Sequence, residues 1–206
     1  MAKVELSRKG EARAWQRMLS GRRLDLLNPS PFDIEIEDIA HGLARVARWN
    51  GQTQGDYAYS VAQHSLLVEQ IFQKLCPQSH SNECLCALLH DAPEYVIGDI
   101  ISPFKAVIGK QYELIEKRIQ DAIHMRFSLP IDPSQKLLKK IKKADRIAAF
   151  YEAITLAGFN TEEALRYFGS PNNILCDDLN LQLYSTQQIE NAFLTRFNDL
   201  DAQRSY

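Results

Sequence analysis

NECLCALLHDAPEYV, residues 82–96, decides how this chain is read. Its apolar residues recur at helical rather than alternating spacing, and Ser81 just ahead is a suitable N-cap. Pro93 removes an interior hydrogen bond, so His90 and Asp91 fall near a helix end. Neighbours on a regular helix point about 100° apart, so an adjacent His and Asp face one ion only where the helix ends or kinks. Imidazole nitrogen and carboxylate oxygen together suit Mn, Fe, Co, Ni or Zn. Two His with two Asp leave coordination positions open, as a catalytic site requires. The pair does not by itself choose its partners: His41, His80 and His124 are also available, and 26 acidic residues compete.

Outward from this stretch the chain reads mostly as helix. Ile36, Ile39, Ala40 and Leu43 share one face of a segment over 36–46. SVAQHSLLVEQIFQKL (60–75) begins on Ser60 as N-cap. KQYELIEKRIQDAIHMRFSL (110–129) is closed by Pro130, and PSQKLLKKIKKADRIAAFYEAITLAG (133–158) runs from Pro133 to Gly158. TEEALRYF and STQQIENAFLTRFNDL follow, with Thr161 and Ser185 as caps. Near the start, EARAWQRMLSG (11–21) reads as a short helix stopped by Gly21, followed by a short extended segment near Leu24 to Leu26. WNGQTQGDY (49–57) reads as a loop and GDIISPFKAVIG (98–109) as a connector. The expected fold class is all-α, with residues 1–206 forming one domain.

Composition narrows the ligand. The chain is 45% apolar and 24% charged, with a net charge of -2, so no basic face recommends a nucleic-acid partner and a small molecule is expected. KLLKKIKK (136–143) is basic, yet its Leu and Ile fall at helical spacing, which reads as a solvated helix face. No apolar run approaches the roughly 20 residues of a spanning helix, and MAKVELSRKGEARAW lacks the apolar middle of a signal peptide. A cytoplasmic protein with no membrane partner is expected. Cys76, Cys84, Cys86 and Cys176 show no two-plus-two spacing for a zinc knuckle or disulfide framework.

Taken in order, AQHS (62–65), LLHDAPE (88–94), GDIISPFK (98–105) and KKADRIAAF (142–150) resemble the HD-domain metal-dependent phosphohydrolases, and within them the bacterial 5'-deoxynucleotidase (YfbR-like) branch. The resemblance spans roughly residues 37–157. It implies an HD-domain helical bundle holding one divalent transition metal ion (Co, Mn, Zn, Ni or Fe) on His64, His90, Asp91 and Asp145. Glu94, four residues after His90, takes the catalytic proton-handling role. Arg48 and Trp49 in ARVARWNG match the family's Arg-Trp pair: the guanidinium suits phosphate, and the indole disfavours a 2'-hydroxyl. Asp99 matches a substrate-binding aspartate, and Lys105 in SPFK is a candidate phosphate partner. The implied reaction converts a deoxynucleoside 5'-monophosphate to deoxynucleoside and phosphate, in a homodimer or larger homo-oligomer. A deoxynucleoside triphosphate triphosphohydrolase would use the same ligands, and a non-catalytic nucleotide-sensing module is the alternative of another class. The long segment between Trp49 and His64 departs from the family pattern and leaves the substrate open.

Overall fold

The computed structural model describes residues 14–101, 104, 105, 107 and 109–204. The fold is all-α. Its named helices are α1 (Ile36–Leu43), α2 (Val61–Leu75), α3 (Ser81–Leu88), α4 (Glu94–Ile97), α5 (Lys110–Arg126), α6 (Gln135–Thr155), α7 (Thr161–Phe168) and α8 (Thr186–Ala202). Helix α2 lies at the centre, packed against α1, α3, α6 and α8. Its Leu67, Val68, Ile71 and Phe72 are buried with Ile39, Leu43, Leu85, Leu88, Ala148 and Phe193 from the surrounding helices. Burying each large side chain contributes about 1.5–3 kcal/mol, which makes α2 a firmly held base for His64. The Ser60 hydroxyl caps α2 by accepting from the Gln63 N–H.

Helix α8 lays Ile189, Phe193, Phe197 and Leu200 inward, so its apolar stripe is covered by the chain's own α1, α2 and α3. No helix among the described residues is long and apolar enough to cross a membrane.

Several local expectations change. Where a first helix is expected, Trp15–Arg17 forms a strand, β1, paired antiparallel with β2 at Arg23–Asp25; residues 11–13 of the expected helix lie outside the described residues, as does the rest of the N-terminal stretch. Gly21, at φ 87°, makes the reversal possible, and pairing fixes Leu24 in full burial. A helix of that length without a packing face gains too little to form. The caps of α3 and α7 are His80 and Asn160, one residue ahead of Ser81 and Thr161. In each, the carboxylate three residues on returns to the cap's own N–H, Glu83 to His80 and Glu163 to Asn160, so a downstream glutamate selects the start. In the stretch read as a connector, Phe104, Lys105 and Val107 are helical.

The segment after Trp49 leaves and returns at one place. Ala47 bridges Ser60, the Arg48 N–H donates to Tyr59 O at 2.8 Å, and the Val61 N–H donates to Val46 O at 2.9 Å. Its closure therefore delivers the chain to the start of α2 and sets Arg48 beside the helix that carries His64.

Candidate active site

His64 lies in the first turns of α2 and is fully buried. Its Nδ1–H donates to Glu152 Oε1 at 2.6 Å, which holds a proton on Nδ1 and leaves Nε2 as the atom that takes a second proton or an ion. His90 is oriented the same way by a different acceptor, its Nδ1–H donating to Ala87 O at 2.9 Å. Both Nε2 atoms are buried without a hydrogen-bond partner. His64, His90 and Asp145 each bring one ligand atom within 4.8 Å of the others. Asp91 joins them through Oδ2, 3.4 Å from His64 Nε2 and 3.1 Å from His90 Nε2. Asp145 Oδ1 is 3.4 Å from His64 Nε2, while its Oδ2 pairs with Lys142 at 2.7 Å. Two unpartnered imidazole nitrogens facing two carboxylates fit a divalent ion. The remaining histidines lie elsewhere: His41 faces Glu190, His80 caps α3, and His124 donates to Pro130 O.

The electrostatics of this group call for positive charge. Burial and the Arg48 cation oppose protonation of His64, yet Glu152, Asp145 and Asp91 outweigh them and lift the imidazole well above its ordinary value. Burial also opposes ionisation of Asp91 and Asp145, but the two histidines hold both carboxyls below their usual range.

Pro93 explains why His90 and Asp91 can share the centre. Helix α3 ends at Leu88, turns through residues 89–93, and resumes as α4 at Glu94. The break thus precedes Pro93, which opens the new helix. Having no N–H, Pro93 cannot donate to the Leu89 carbonyl, which instead accepts from the Ala92 N–H and from Gln120 Nε2 on α5, each at 3.1 Å.

Glu94 is 2% exposed. Its Oε1 is 3.3 Å from Lys105 Nζ, and its Oε2 is buried without a partner. Burial, followed by the Asp91 and Asp99 charges, pushes its carboxyl up to about 9 against the pull of Lys105 and Arg48. Lys105, expected to meet phosphate, is held between Glu94 and Glu116, 2.9 Å from the latter.

Arg48 sits between two carboxylates, 3.4 Å from Asp99 Oδ2 and 3.4 Å from Glu152 Oε2. Its Nε is buried without a partner. Trp49 adopts φ 57°, ψ 26°, a left-handed conformation unusual for a bulky residue, and Asn50 and Gly51 follow at positive φ. The indole is wedged against Phe159 and Phe168, with centroids at 5.6 and 5.7 Å, and its Nε1–H donates to Glu152 Oε2 at 3.0 Å.

All nine residues singled out from the sequence therefore gather at one site. Reading the sequence missed three others: Glu152, which is fully buried; Tyr59, whose phenol is raised well above its ordinary value by burial and the Glu152 charge; and Lys142 on Asp145. Glu152 left a signal, since it follows Asp145 by seven residues on α6, two turns along the same face.

Residues 38–165, a span containing every one of these residues, match the model of the family described as 5'-deoxynucleotidase YfbR-like. An uncharacterized protein of Rhodobacter capsulatus is 55% identical over 188 residues, 91% of this chain and 96% of its own length. The uncharacterized protein YfdR of Escherichia coli K12 is 38% identical over 98 residues, 48% of this chain and 49% of its own length.

Proposed function

Since this chain belongs to the YfbR-like 5'-deoxynucleotidase family, we propose that it hydrolyses deoxynucleoside 5'-monophosphates to deoxynucleoside and phosphate with one divalent transition metal ion per chain. The observation that carries this reading is the convergence of two buried, unpartnered imidazole nitrogens on the Asp91 and Asp145 carboxylates, beside a partnerless Glu94 oxygen. His64, His90, Asp91 and Asp145 would hold the ion. When bound, a divalent ion there acidifies water and offsets charge on the phosphoryl oxygens.

The chain's own residues supply the rest. Glu94 takes the proton from the attacking water and returns it to the leaving 5'-oxygen, so it ends the cycle as it began. Its environment raises its proton affinity far above that of an exposed glutamate, which favours taking the proton from water, and the charge of a bound ion would keep it a carboxylate beforehand. Arg48, held by Asp99 and Glu152, donates to a phosphate oxygen from a fixed position, and Lys105 adjusts the charge of Glu94. Trp49 cannot swing away, because its ring is clamped by Phe159 and Phe168 and its N–H by Glu152, so it acts as a rigid wall at the sugar.

The test is a nucleotide screen with product analysis in Co2+ or Mn2+. Phosphate released from deoxynucleoside monophosphates, with ribonucleotides at least tenfold slower, is the expected result. Triphosphate released from a deoxynucleoside triphosphate would replace the substrate assignment. No hydrolysis of any nucleotide would favour a non-catalytic sensing module.

A further inference from the structure

We propose that Glu152 is a positioning residue that ties the metal-binding edge of the site to its sugar-facing edge, an inference resting on the phosphohydrolase reading above. It has no exposed surface and two carboxylate oxygens with different duties. Oε1 takes the His64 Nδ1–H at 2.6 Å, and Oε2 takes the Trp49 indole N–H at 3.0 Å and faces Arg48 Nη2 at 3.4 Å. Three donors from two elements, α2 and the turn at 48–51, thus meet on one side chain of a third, α6.

Each contact does something distinct. The first fixes the His64 tautomer and ring plane, aiming Nε2 at the ion. The second fixes the indole of a residue whose left-handed backbone alone would not hold it. The third anchors Arg48 opposite Asp99. Only a carboxylate serves all three, since each donor needs an acceptor and a carboxylate has no N–H or O–H to set against them. In Glu152→Gln one atom still accepts from His64, but the amide N–H groups then oppose the Trp49 and Arg48 donors.

The test compares wild type with Glu152→Gln and Trp49→Phe, by Co2+ titration of metal-free protein, the absorption spectrum of bound Co2+, and kcat and KM for dAMP. Glu152→Gln is expected to raise the Co2+ Kd 10–100-fold, alter the Co2+ spectrum and lower kcat. Trp49→Phe, which removes one donor and touches no metal ligand, is expected to raise KM severalfold with Co2+ Kd within about threefold. If circular dichroism shows Glu152→Gln unfolded, Glu152→Asp, which keeps the charge with a shorter reach, is read by the same criteria. A Co2+ Kd within twofold of wild type together with unchanged kcat/KM overturns the proposal, as does wild type that binds no Co2+. The metal measurements need no substrate. Weakened Co2+ binding in Glu152→Gln with no hydrolysis by wild type would overturn the deoxynucleotidase reading and leave standing only the positioning of His64 for the ion.

Discussion

Glu94 concentrates the tension between stability and activity in one side chain. Its carboxyl, pushed up to about 9, prefers the neutral form, so its favourable contribution is complete below about pH 4.5 and is lost as pH rises towards 9. Glu94→Gln removes that dependence. Metal-free Glu94→Gln protein is therefore expected to melt above wild type at pH 8 by roughly 3–10 °C, the effect of about 1–3 kcal/mol in a chain of this size. The gap should close towards pH 5, and thermal melts at the two pH values check it. Activity moves the other way, with kcat expected to fall 10²–10⁴-fold. Equal melting temperatures for the two proteins at pH 8 would show that the buried carboxyl carries no such penalty.

At the scale of elements, the position of Glu94 depends on how closely α1 and α4 approach. A Cβ on Gly42 would lie 2.8 Å from both Cβ and O of Tyr95, the residue after Glu94. Backbone cannot yield as a side-chain tip can, so Gly42→Ala must push α4 away. We expect a loss of about 1–3 kcal/mol and a fall in kcat larger than any rise in KM, read from melting curves and steady-state kinetics. This contact also shows the limit of what was legible in the sequence. Helices α2, α5, α6 and α8 declare themselves through apolar spacing and caps, and the order of His64, His90, Asp91 and Asp145 locates the centre. Strand β2 at Arg23–Asp25 falls on the extended segment expected near Leu24 to Leu26, whereas β1 escaped because pairing with β2, not local propensity, decides it. The close approach at Gly42 escaped because it joins two elements, and a glycine inside a helix does not say what passes over it. Glu152 escaped because it resembles any helix glutamate until His64, Trp49 and Arg48 arrive from elsewhere in the chain.

Across the whole molecule, the site is a junction. The four residues proposed to hold the ion come from α2, from the turn between α3 and α4, and from α6, so a bound ion would fasten separate parts of the fold to one another. A ligand at 100 times its Kd stabilises by about 2.7 kcal/mol. Saturating Co2+ should accordingly raise the melting temperature of wild type by roughly 5–10 °C and that of Asp145→Asn much less. Truncation far from the centre should act on the fold instead: Phe193→Ala, in the fully buried face of α8, is expected to cost about 3–5 kcal/mol while residual folded protein keeps its Co2+ affinity. The most direct test of the central claim, that these four residues hold one ion for phosphate-ester hydrolysis, is phosphate release from dAMP during stepwise addition of Co2+ to chelator-stripped protein. Release should rise in proportion to added Co2+ and level off at one equivalent per chain. Protein that stays inactive at every Co2+ level, or is equally active without any metal, would contradict it.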